Sequence, residues 1–267
     1  MTQTSPTLTR EQIVEVLQKT LSAMPAARAA WLGGSDATGR TDTYSDIDCQ
    51  TLVEDEAVEQ VFEAVAAALD ALSPIDVQYR IPEPTWHGHS QAFYRLQDAP
   101  PWLLVDLAVL KTSSAPDNRF LEPERHGHQH VLFDRDGLVR PAPFDRQSHE
   151  TAMKARLPHL ATRFKLFHIF VDKAIWRQDP PDAIATYHAM TLRPLVELLR
   201  VRHCPDRYDF GMRYLKRDLP PDVYNQLEPL FFCRDLANLQ DNQAIAVSLF
   251  KATLDELREA GLLASDA

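Results

Sequence analysis

The first 145 residues alternate between two periodicities of hydrophobic and polar positions. Apolar residues recur at helical spacing after Thr9, which forms a capping box with Gln12, and again over residues 55–72, so both segments predict helices. Short apolar or alternating runs predict strands over residues 28–34, 46–53, 75–81 and 102–111, and a pair of strands around an Asp-Gly turn over residues 130–140. We interpret residues 86–96 as a loop between two of these strands.

Beyond Pro141 and Pro143 the pattern becomes helical throughout. Paired prolines at 180–181 and 220–221 stand where helices are expected to begin, because the first turn of a helix does not need their missing amide hydrogen. The pattern predicts an α+β fold with two domains. Residues 1–145 form a domain with a mixed sheet flanked by helices, and residues 146–267 form an all-α bundle.

Composition is that of an ordinary globular protein, with 45% hydrophobic and 25% charged residues in 267. No apolar run approaches the ~20 residues of a membrane span, and the first residues lack the basic and apolar regions of a signal peptide. The three cysteines show no spacing typical of a disulfide framework or a zinc site. We therefore expect a cytoplasmic protein with no membrane partner.

Charge is distributed unevenly between the two predicted domains. The net charge of −10 argues against broad nucleic-acid binding, which relies on Lys and Arg to neutralise phosphates. Residues 1–145 hold 11 Lys and Arg against 22 Asp and Glu, whereas residues 146–267 hold 17 against 16. An acidic first domain favours metal ions or a cationic small molecule by long-range attraction, and the arginines of the second domain suit an anion.

The segment from Gly33 to Asp48 carries the candidate chemistry. Asp46 and Asp48 lie two residues apart on a predicted strand, so both carboxylates project from one face and can reach the same divalent cations. Gly33 and Gly34, followed by a serine, allow the backbone to approach a triphosphate closely. A third carboxylate is expected from a neighbouring strand. Asp106 fits this expectation because it is a lone charge among apolar strand residues, and burying it requires a cationic partner.

The order Gly-Gly-Ser, Ser-Asp-Ile-Asp and a later strand aspartate resembles the nucleotidyltransferase superfamily, which includes DNA polymerase beta, poly(A) polymerases and antibiotic adenylyltransferases. The resemblance implies that Asp46, Asp48 and Asp106 ligate two Mg²⁺ ions, and that Gly34 and Ser35 hold the β and γ phosphates of a nucleotide. It also implies that the third carboxylate acts as general base toward the acceptor hydroxyl.

A second resemblance lies in the helical half of the chain. The segment GMRYLKRDLPPDVYNQLEPLFF, residues 211–232, is similar to a stretch of streptomycin and spectinomycin adenylyltransferases. In that group, basic residues upstream bind phosphates and a later aromatic residue meets the adenine. The nearest positions in this sequence are Arg200, Arg207 and Phe232.

The sequence thus predicts a Mg²⁺-dependent enzyme that transfers a nucleoside monophosphate, AMP from ATP in the first instance, to a hydroxyl of a small-molecule acceptor. An aminoglycoside-like antibiotic is the candidate acceptor. Two alternatives stay open. One is a toxin–antitoxin component that modifies a protein partner or tRNA, or cuts RNA as HEPN ribonucleases do, through Arg163 and His168. The other is a nucleotide-binding protein without transfer activity.

Overall fold

The computed structural model of the protein describes residues 8–85, 87–114 and 119–263. The chain divides into two compact units, residues 1–144 and residues 145–267, and each unit has its own hydrophobic core. Within the described ranges, none of the helices combines the length and apolar character needed to cross a bilayer.

The first unit is built on one mixed sheet. Its strands are β1 Ala27–Leu32, β2 Ile47–Val53, β3 Ile75–Arg80, β4 Ser90–Leu96, β5 Val105–Lys111 and β6 His130–Asp134. Its helices are α1 Arg10–Ala23, α2 Gly34–Thr38, α3 Val58–Leu72 and α4 Pro123–His126, with a 3₁₀ turn over Asp55–Ala57. The strand order is β3-β4-β5-β2-β1-β6, with β2 and β5 parallel at the centre and the other neighbours antiparallel.

The two faces of this sheet differ in chemistry because side chains alternate along each strand. Ile47 and Cys49 of β2 and Leu107 of β5 are buried in the core that contains the apolar faces of α1 and α3. Asp48 and Asp106 therefore project from the opposite face. That alternation places the polar side chains of the central strands together, away from the two helices.

Two predictions for the first unit are wrong. Residues 90–96, interpreted as part of a loop, form strand β4, along which buried and half-buried residues alternate. Residues 138–140 do not form the second strand of the predicted pair. The carboxylate of Asp134 accepts hydrogen bonds from the backbone amides of Leu138 and Val139, both at 2.9 Å, and this local turn takes the donors that a strand ladder needs.

The second unit is helical, as predicted. Its helices are α5 Arg146–Phe167, α6 Ile169–Trp176, α7 Pro180–Tyr187, α8 Arg193–His203, α9 Leu215–Asp218, α10 Pro221–Leu227 and α11 Leu236–Glu259. The prolines at 180 and 221 begin α7 and α10 as expected. A π turn, His188–Leu192, joins α7 to α8, and 3₁₀ turns cover Pro205–Phe210 and Glu228–Phe231. The α+β class, with a mixed sheet followed by a helical region, is confirmed.

Candidate active site

Two of the three predicted aspartates lie side by side at the centre of the sheet. Strands β2 and β5 run parallel, and Asp48 pairs in register with Asp106. Both side chains are half-buried on the face opposite α1 and α3. Asp46 lies immediately before β2 and is exposed, and its backbone carbonyl accepts a hydrogen bond from Nη2 of Arg10 at 3.1 Å.

Without a bound cation, the ionised forms of Asp48 and Asp106 are disfavoured. The pKa of Asp106 is raised to about 6, mainly by burial and also by the nearby Asp48 and Asp46, against the lowering effect of a hydrogen bond from Gln91. Burial also raises the pKa of Asp48, with Asp46 and Asp36 as additional causes. Carboxylates whose ionised form is disfavoured by desolvation and by one another gain most from a cation that comes from outside the chain.

The glycine pair fits closely against Asp48. The backbone amide of Gly33 donates to the carbonyl of Asp48 at 2.9 Å. Gly34 has a φ of +53°, and a Cβ at this position would collide with the carboxylate of Asp48. Glycine is therefore required at position 34 both by its backbone conformation and by the space that the carboxylate occupies.

Ser35 follows this pair in the short helix α2, and its hydroxyl is left without a partner. Its Oγ is buried, and within the described part of the chain nothing hydrogen-bonds to it. Most buried polar atoms in folded proteins are satisfied, so an exception of this kind calls for an explanation such as an absent ligand. Next to it, Asp36 forms an ion pair with Arg10 at 2.5 Å, which fixes α2 against the start of α1.

Gln91 is a site residue that the sequence interpretation missed. It lies on β4, and its Nε2 donates a hydrogen bond of 2.6 Å to Oδ1 of Asp106. Its Oε1 lies 3.1 Å from Nε2 of His87. A carboxylate can only accept, so the Gln91 amide must present its nitrogen to Asp106 and its oxygen to the histidine. The alternating pattern of residues 90–96 would have indicated the strand, and with it the face on which Gln91 lies.

The structure gives Arg200 a different role from the predicted contact with phosphate. Its side chain is fully buried in the helical unit. Nε donates to the carbonyl of Gly211 at 2.8 Å, Nη1 pairs with Asp218 at 3.1 Å, and Nη2 donates to the carbonyl of Arg213. With every nitrogen engaged and no surface exposed, Arg200 holds the segment after α8 in place and is left out of the proposed site.

Arg207 and Phe232 keep surfaces that a ligand can reach. The side chain of Arg207 is partly exposed and pairs with Asp218 at 3.0 Å, and Phe232 is 69% exposed. Their roles in binding a nucleotide stay predictions.

The alternative pair, Arg163 and His168, lies at the end of α5. Arg163 is exposed. Nδ1 of His168 lies 2.7 Å from the carbonyl oxygen of Phe164, and the two rings stack with their centroids 5.2 Å apart. One ring nitrogen of His168 is therefore engaged within its own helix.

No protein-family model and no curated protein matches the chain. Among solved structures, the chain is similar to an aminoglycoside 6-adenyltransferase from Bacillus subtilis, with 13% identity and a TM-score of 0.38 over 96% of this chain and 92% of that one. It is also similar to a nucleotidyltransferase-like protein from Exiguobacterium sibiricum 255-15, with 14% identity and a TM-score of 0.39 over 93% of this chain and 76% of the other.

A third similar structure is a spectinomycin adenyltransferase from Enterococcus faecialis with ATP and spectinomycin, with 10% identity and a TM-score of 0.36 over 92% of this chain and 90% of that one. The proposed activity rests on the side chains of the site itself.

Proposed function

We propose that the protein is a Mg²⁺-dependent nucleotidyltransferase that moves a nucleoside monophosphate from a nucleoside triphosphate to a hydroxyl of a small molecule. The observation that carries this proposal is the in-register pair of Asp48 and Asp106 on parallel strands, next to Gly34 and the unsatisfied hydroxyl of Ser35. Paired carboxylates can ligate divalent metal ions, and the adjacent Gly-Ser turn supplies a hydrogen-bond donor for phosphate oxygens.

The donor set fits Mg²⁺. In the residues that the structure describes, no group of three or more His, Cys, Asp or Glu side chains is arranged as a preformed metal site. Mg²⁺ does not require one, because it keeps several waters and binds through one or two carboxylates together with substrate phosphates. Asp48 and Asp106 would hold it together with Asp46. When bound, two such ions supply positive charge against the charge that develops on the reacting phosphate.

The chain's own residues then have separate tasks. Gln91 holds Oδ1 of Asp106, so that Oδ2 remains to accept the proton of the acceptor hydroxyl. The acceptor oxygen forms a bond to the α phosphorus, the bond from that phosphorus to the bridging oxygen breaks, and pyrophosphate leaves. The hydroxyl of Ser35 donates a hydrogen bond to a phosphate oxygen of the leaving group.

We propose ATP as the first donor to test and an aminoglycoside-like polycation as the first acceptor. The excess of Asp and Glu in residues 1–145 supports a cationic acceptor, because the summed field of the unit raises the local concentration of cations. The same excess speaks against tRNA as the acceptor, since nucleic acid requires a basic surface.

The test is an incubation of the full chain with each of the four nucleoside triphosphates, MgCl₂ and a panel of aminoglycosides, spectinomycin and neutral polyols. We expect one acceptor to gain a single nucleotidyl group, measured by mass spectrometry, with one pyrophosphate released per product. Omission of MgCl₂ should abolish the product. A protein that forms no product on this panel, yet binds ATP and Mg²⁺, would favour the alternative of a nucleotide-binding module.

A further inference from the structure

A cavity of about 250 Å³ lies within the helical unit, between α5, the π turn and α8. The side chains that matter in its lining are Arg156, Arg163, Phe167, Met190, Arg193 and Glu197. All of them belong to residues 145–267, so the cavity is complete without any contribution from the first unit.

The charge of this cavity is unbalanced. Glu197 binds Arg156 through two bonds, Nε–Oε1 at 2.7 Å and Nη2–Oε2 at 3.1 Å, and the two charges cancel. Arg163 and Arg193 are exposed, and among the described residues no carboxylate lies within ion-pair distance of either guanidinium. Two uncompensated positive charges therefore line one small cavity in a chain whose net charge is −10.

The cavity also has an apolar side and a fixed wall. Phe167 and Met190 contribute the apolar surface. Met190 belongs to the π turn, a rare form of helix that is frequent at functional sites. The turn is anchored from behind by a buried hydrogen bond of 2.7 Å from Thr191 to Gln243, whose amide nitrogen donates in turn to the carbonyl of His168 at 3.1 Å.

We infer that this cavity binds a small molecule that carries an oxyanion, either a phosphate or a carboxylate, on an apolar body. Arg163 and Arg193 bind the oxyanion, because guanidinium groups match the geometry of both anions with paired hydrogen bonds. The apolar body lies against Phe167 and Met190. The volume of about 250 Å³ admits a small molecule. The inference goes beyond the proposed transfer reaction and requires neither the aspartates nor a metal ion.

The test is calorimetric titration of the full chain in buffer without divalent cations, with inorganic phosphate, phenyl phosphate and benzoate as probes. We expect phenyl phosphate or benzoate to bind about tenfold more tightly than inorganic phosphate, and the tighter of the two identifies the anion. Arg163→Gln and Arg193→Gln should each weaken that binding about tenfold or more, as expected for the loss of a charge-assisted hydrogen bond. Arg177→Gln is the matched control, an exposed arginine of the same unit that does not line the cavity, and should leave binding unchanged.

A second variant tests the charge balance in the opposite direction. Glu197→Gln releases Arg156 from its carboxylate and adds a third available positive charge, so binding of the same probe should tighten severalfold. This gain cannot arise from partial unfolding. Absence of binding by all three probes, equal losses in Arg177→Gln and the cavity variants, or weaker binding in Glu197→Gln would overturn the inference. Because no metal ion or nucleotide is present, these outcomes do not depend on whether the proposed transfer activity is correct.

Discussion

The carboxylates of Asp218 in the helical unit and Asp106 in the sheet are both largely shielded from water, but the charged residues around them have opposite signs. Asp218 is 2% exposed and forms ion pairs with Arg200, Arg207 and Arg217. Burial alone would raise its pKa, but the hydrogen bonds and positive charges of these arginines hold the pKa below its ordinary value. The chain itself supplies all the positive charge that Asp218 needs.

Asp106 has no such compensation. Its nearest charged neighbours include Asp48, and its hydrogen-bond donor is the uncharged amide of Gln91. Its pKa is raised to about 6. A shielded carboxylate whose charge is balanced by neighbouring arginines has a structural role. One whose charge is not balanced within the chain is a candidate for binding a cationic ligand. The contrast predicts opposite effects when each carboxylate is neutralised by mutation.

The largest effect is expected on activity. Asp106→Asn keeps the shape of the side chain but removes the proposed proton acceptor and one proposed metal ligand, so transfer should fall by about 10³-fold or more. The measurement is product formation under saturating ATP and MgCl₂. Asp76→Asn, in an exposed ion pair with Arg95 on the same sheet, is the control and should retain activity. An Asp106→Asn protein with near-normal turnover would exclude Asp106 as the base.

Asp218→Asn should instead destabilise the fold. Arg200 would remain fully buried with its charge uncompensated, a situation that costs about 3–5 kcal/mol in the free energy of unfolding. Urea denaturation measures it, with Asp241→Asn, an exposed residue of α11, as the control. Because the pKa of Asp218 is lowered in the folded state, its contribution is present above the unfolded pKa and is lost as the pH falls through the folded one.

Asp106→Asn should have the opposite effect on stability in metal-free buffer. A pKa raised from 3.8 to about 6 makes the folded state bind its proton more tightly. The stabilising contribution is therefore fully present below the unfolded pKa and is lost as the pH rises through about 6. At pH 7 the variant should gain roughly 1–3 kcal/mol over the wild type, and at pH 4 the difference should shrink. A variant that is less stable at pH 7 would contradict the uncompensated charge.

Gln91→Ala tests the hydrogen bond that holds Asp106. Loss of a hydrogen bond to a charged group should lower kcat/KM about tenfold. Because this bond lowers the pKa of Asp106, its removal should also move the acidic limb of the pH–rate profile to higher pH. Gln97→Ala, an exposed glutamine just beyond β4, is the control. A lower rate with an unshifted profile would indicate a packing defect and not a positioning role.

Gln91 and Arg200 show where sequence reasoning ends. Period-2 alternation in β2 and β5 was enough to predict that Asp48 and Asp106 lie on strands, because strand geometry fixes which face a side chain takes. The partner of Asp106 depends on strand order, which the local pattern does not contain. The burial of Arg200 is equally hidden, since its partners are Asp218 and backbone carbonyls of a segment that folds back after α8. The sequence shows which residues are charged, but it does not show which partners lie beside them in the folded chain.

The smallest effect is expected at Arg207, which has both a structural partner and an exposed surface. It pairs with Asp218, as Arg200 does, yet its side chain is 23% exposed and can meet a ligand. If it binds a phosphate of the nucleotide, Arg207→Ala should weaken ATP binding about fivefold, the effect of roughly 1 kcal/mol for a solvent-screened charge.

Phe232→Ala should weaken ATP binding similarly without changing the affinity for pyrophosphate, since its ring would meet the base. Calorimetric titration of ATP and pyrophosphate into each variant separates the two roles. If both variants bind ATP as the wild type does, nucleotide binding is confined to Gly34, Ser35 and the aspartates, and Arg207 belongs with Arg200 to the architecture.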